Sequence, residues 1–66
     1  RNLFEMNPNA AWQIVCDDDV EPDGRSWAAA WLLDWLDRGK LPPETDMDTP
    51  TLIEELEHVE AYGYRP

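Results

Sequence analysis

The sequence predicts an all-α fold, a small three-helix domain whose central helix is rich in tryptophan. Two observations carry this reading. Pro8 and Pro50 sit where prolines start helices, and apolar residues recur at three- and four-residue spacing up to the breakers Gly39 and Gly63. With 66 residues the chain forms a single domain, 1–66, in a size range that buries only about 60% of its unfolded surface.

The first helix opens at "NPNAAWQIVC", with Asn7 as N-cap and Pro8 at the first helical position, where its missing N–H costs nothing. Ala11, Trp12, Val15 and Cys16 then fall on one face. Trp12, Ile14 and Cys16 also alternate, so the alternative is an α+β fold with a short strand at 12–16. Before this helix, residues 1–6 (RNLFEM) form an arm or a helical turn whose Leu3, Phe4 and Met6 need cover.

Residues 17–26 read as an acidic turn: Asp23-Gly24 breaks the chain, and Asp23 or Ser26 caps the next helix. That helix runs from about Trp27 to Arg38, stopping at Gly39, with Lys40 at the negative end of its dipole and Pro42-Pro43 preventing continuation. An extended connector, "LPPETDMDT", leads to a third helix with Thr49 as N-cap and Pro50 in its first turn. It ends near Tyr62 at Gly63.

On the second helix Trp27, Trp31 and Trp35 make one ridge, and Ala28, Leu32 and Leu36 the neighbouring one. Leu33 widens the apolar arc beyond the roughly 100° stripe of an ordinary amphipathic helix. This helix must be covered from more than one side. Either helices one and three, with the arms, cover it all as a simple core, or, because the third helix supplies only Leu52, Ile53, Leu56 and Val59, surplus tryptophan surface is expected to serve a homodimer seam or a hot-spot patch for a partner.

Fifteen acidic residues against five basic ones give a net charge of -10, which opposes direct binding to nucleic acid or to an anionic membrane. A protein with a basic surface is the expected partner. The acids recur in three tracts, 17–23, 44–48 and 54–60, and between Lys40 and Arg65 there is no Lys or Arg. Glu54, Glu55 and Glu57 are therefore expected to point outward unpaired, and Asp17, Asp18 and Asp19 exceed any capping need. With Trp27, Trp31 and Trp35, these six acids are the candidate partner-binding residues.

Chemical motifs are weak. "DVEPDG" imitates the start of a calcium-binding EF-hand loop, but Pro22 stiffens it and Ala30 stands where a bidentate Glu is required. His58 is expected on the wet face of the third helix, with no second histidine to share a metal. Cys16, the single cysteine, reads as a small core residue that precludes an internal disulfide and fits a reducing compartment. No catalytic residue, cofactor or metal site is expected, nor a membrane span, and the expected location is cytoplasmic.

In size and composition the chain resembles the small acidic inhibitors that viruses, phages among them, and mobile elements direct at nucleic-acid-binding proteins, and also immunity proteins and antitoxins. The resemblance covers no alignable motif and assigns no residue a role. It implies a non-enzymatic protein whose carboxylates stand where phosphates would, blocking a basic surface. The alternative is a structural or regulatory subunit that docks its tryptophan helix on a larger protein or on its own copy.

Overall fold

The computed structural model describes residues 6–66, so of the expected arm at residues 1–6 only Met6 is described, partly buried against the core, and the rest lies outside the described residues. Three helices follow in order: α1 (Pro8–Cys16), α2 (Pro22–Asp37) and α3 (Thr49–Tyr62). There is no strand among the described residues, so the all-α fold holds and 12–16 is helical.

Each helix starts at a proline placed in its first turn. Asn7 caps α1 as expected, its side chain accepting the Ala10 N–H at 2.8 Å. α2 begins five residues earlier than the sequence reading, at Pro22 with Glu21 as N-cap and Asp23 favourably placed in the first turn. The Asp23-Gly24 pair is thus helical and breaks nothing. Ser26 caps nothing either; its hydroxyl donates to the Glu60 carbonyl of α3 at 2.6 Å. α3 starts one residue early, with Asp48 as N-cap and Thr49 inside the helix.

The glycines have distinct jobs. Gly39 takes the left-handed conformation (φ 77°), and the Gly39 and Lys40 N–H groups return to the Leu36 and Trp35 carbonyls, closing α2 with a Schellman motif. Gly63 stops α3 in the same conformation (φ 83°), and a side chain there would put its Cβ 2.5 Å from that of Pro22. Gly24 lies against the Val20 side chain, which would come within 2.9 Å of an added Cβ.

α2 is the shared wall. It packs against both α1 and α3, which touch each other far less. Ala28, Ala29 and Leu32 of α2 are fully buried between Ala11 and Val15 of α1 and Leu52, Leu56 and Val59 of α3. The two alanines keep the wall thin, so helices on either flank reach the same core. α3 runs antiparallel to α2: Gly63 meets Pro22 at one end, and Ile53 lies beside Leu36 at the other. The connector crosses back over the start of α1, where Asn9 Oδ1 accepts the Glu44 N–H at 2.7 Å and Pro43 is buried.

Gly63→Ala combines left-handed strain with a clash against Pro22 and is expected to cost about 2–4 kcal/mol, whereas Gly39→Ala, with open space around it, costs about 1 kcal/mol. Thermal melts followed by circular dichroism check this; equal losses would mean that Gly63 is needed only as a helix stop.

Candidate groove between α2 and α3

The antiparallel α2–α3 pair leaves a groove of about 420 Å³ on its outer flank. Its floor is Leu33 and Leu36 of α2 with Ile53 of α3, all partly buried. Its rims are acidic on both sides: Asp34 and Asp37 on α2, Glu57 and Glu60 on α3. The helical period produces this pattern, because 33, 36 and 37 on α2 and 53, 57 and 60 on α3 fall along the edges that face each other outside the core. Asp34, Asp37 and Glu60 were not among the candidate residues. Asp34 and Asp37 are polar positions in an otherwise apolar stretch of α2, and Glu60 belongs to the third acidic tract, but which helix edges face each other depends on the antiparallel pairing.

The structure divides the three glutamates singled out by sequence. Glu57 joins the groove. Glu54 and Glu55 line a second depression of about 320 Å³ with Thr51, His58 and Pro66 on the other edge of α3. The expectation that Glu55 stands unpaired in water is corrected: its side chain is only 14% exposed and accepts the Arg65 Nε–H at 2.9 Å. Chain distance concealed the pairing, since Arg65 returns from the C-terminal tail. His58 is likewise not on a wet face but half-buried, its ring packed 4.7 Å from that of Tyr62.

Arg65 also lies 5.4 Å from the Trp12 ring centroid and donates from Nη1 to Cys16 Sγ at 3.5 Å. Cys16 is therefore half-buried at the edge of the domain and not a core residue. Burial pushes its thiol pKa up; the Arg65 charge opposes this, and the Glu55 charge adds to it.

Among the acidic loop residues, Asp17 accepts the Asp19 N–H at 2.9 Å and shapes the turn after α1. Asp18 pairs with Arg25 at 3.7 Å, and Asp19 is exposed. The calcium-like stretch is not a loop here, because Pro22, Asp23 and Gly24 belong to α2, and the described residues hold no cluster of His, Cys, Asp or Glu fit to ligate a metal.

The tryptophan ridge does not act as one patch. Trp31 and Trp35 stack on each other with ring centroids 5.1 Å apart, and Trp35 Nε1 donates to the Leu41 carbonyl at 2.7 Å. Both are half-buried, while Trp27 remains 58% exposed. On a 3.6-residue turn the ridge and the groove occupy opposite flanks of α2.

Charge is distributed unequally. Every described cation is engaged within the chain: Arg25 with Asp18, Arg38 with Asp34, Arg65 with Glu55, and Lys40 with its Nζ 5.7 Å from the Trp35 ring centroid. No ion pair among the described residues reaches Asp37, Glu57 or Glu60. No family model, curated protein or solved structure matches this chain.

Glu55→Gln is expected to lower stability by about 1 kcal/mol through loss of the Arg65 clasp, while Glu57→Gln stays within about 0.5 kcal/mol; urea melts separate the two. The rate of Cys16 alkylation by iodoacetamide is expected to rise with pH at a midpoint above that of a short cysteine peptide, since burial holds the proton on sulfur. A midpoint at or below the peptide's would show that Arg65 outweighs burial.

Proposed function

We propose that this chain is a non-enzymatic binding protein that occupies and blocks the basic surface of a partner protein, a surface of the kind that grips nucleic acid. The observation that carries this reading is the charge distribution. A chain of net charge -10 commits its described cations to contacts with its own groups and leaves carboxylates outward on two rigid helices. Helical backbones hold those carboxylates in fixed array, as a nucleic acid holds its phosphates. Such complementarity speeds association and selects the partner more than it adds raw affinity.

The cost of the arrangement also supports it. Like charges repel across a domain with a small core, so uncompensated acids weaken the fold and are best explained by what they attract. A second reading, a subunit that docks through tryptophan, is favoured by one feature alone, the exposure of Trp27. No described helix is long and apolar enough to cross a membrane. A cytoplasmic setting is part of the proposal, since basic nucleic-acid-binding targets are found there.

The test is capture from a host lysate in about 50 mM salt on the immobilised protein, followed by a salt gradient, with Asp37→Lys/Glu57→Lys/Glu60→Lys as the control surface. The expected outcome is a basic protein that leaves the column below about 0.5 M salt, is not retained by the triple variant, and loses its nucleic acid to the wild-type chain. A captured protein indifferent to salt and to charge reversal, but lost with Trp27→Ala, would replace this function with the docking subunit.

A further inference from the structure

We infer that the α2–α3 groove is a docking site for a basic amphipathic helix of a partner protein, one that inserts two apolar side chains a turn apart and flanks them with Lys or Arg. This rests on the sequestration reading and specifies how it is carried out. A purely phosphate-like surface needs carboxylates alone. The groove has more: Leu33, Leu36 and Ile53 form an apolar floor that remains partly exposed between acidic rims.

Charge complementarity selects the occupant. Asp37 on one rim and Glu57 and Glu60 on the other have no ion-pair partner among the described residues. Lys and Arg can lay their methylene stems on an apolar floor while their heads reach carboxylates on either side. A second copy of this chain brings the same net charge of -10 to the contact and is repelled. An apolar ligand without cations would leave the rims uncompensated.

Dimensions select a helix. From Ile53 to Glu60 the α3 rim covers about 10 Å of helix axis at 1.5 Å per residue, roughly two turns. α1 touches α3 little and lines no part of the groove, so this trough between two antiparallel helices is where a further bundle helix would lie. Two turns admit two anchors at i and i+3 or i+4, the register of helix-in-groove recognition.

The probe is a labelled 18-residue helical peptide with Leu at i and i+4 as its apolar anchors among Lys and Arg, compared with a peptide of identical charge whose Leu positions are Gln. Fluorescence anisotropy with the full chain is read at about 50 mM salt. The Leu peptide is expected to bind at least ten-fold tighter than the Gln peptide. Ile53→Ser should remove most of that difference, and Glu57→Lys/Glu60→Lys, on exposed positions, should weaken both peptides ten-fold or more with the helical circular dichroism unchanged. Amide shifts on adding the Leu peptide should concentrate at 33–37 and 53–60, so the assignment stands even if Ile53→Ser unfolds. Equal binding of the two peptides, or shifts confined to other faces, overturns the groove and leaves sequestration by charge intact. Failure of both peptides to bind overturns the two readings together. Concentration-dependent dimers abolished by Glu57→Lys would give the groove to a second copy and overturn the inference.

Discussion

Burial of the Ala28–Ala29–Leu32 stripe of α2 is the contact on which the rest of the domain depends. Neither α1 nor α3 has a substantial interface with the other, so each is held chiefly by that wall. Alanines suit this position because a bulky residue would push α1 or α3 away from the common core, whereas alanine lets both approach and adds the best helix propensity. Leu32 then supplies the volume that Ala28 and Ala29 lack. Small changes at these positions propagate to both interfaces at once, which is costly where total stability is a few kcal/mol.

A thin central wall leaves the domain short of polar fastening, and scarce cations provide it. Arg25 holds the loop after α1 through Asp18, Arg38 closes α2 through Asp34, and Arg65 binds the tail to α1 and α3 together. These contacts are individually modest in water. Their placement matters more than their strength: each ties an irregular segment or a helix end that the core does not reach. The surface is acidic because fifteen acids outnumber five basic residues, and each described arginine is already matched to one carboxylate.

Much of the helical frame was legible in the sequence, because Asn7-Pro8 and Thr49-Pro50 announce helix starts and Gly39 and Gly63 announce ends with local chemistry. Glu21-Pro22 carries the same start signal as those two pairs. Asp23-Gly24 also reads as a turn and masks that signal, whereas the reason for glycine at 24 is the close approach of the Val20 side chain four residues earlier, which only the helical geometry brings there. The candidate site divides along the same line. That Glu57 faces outward followed from periodicity. That Glu55 turns to Arg65, and that Asp37 and Glu60 share a groove with Glu57, required the fold to bring 37 to 60 and 65 to 55.

Among the described residues, no helix covers the outer flank of the α2–α3 pair. The three described helices cover α2 on two sides and leave Leu33, Leu36 and Ile53 partly exposed. In the proposed complex, a partner helix that fills the groove would cover that floor and neutralise rim carboxylates that repel one another in the free domain. Binding and folding are then coupled: a ligand at one hundred times its Kd adds about 2.7 kcal/mol to the folded state. For a domain this small that is a substantial fraction of total stability. In that proposed complex, the rim carboxylates that repel one another in the free chain would become part of what holds the domain together.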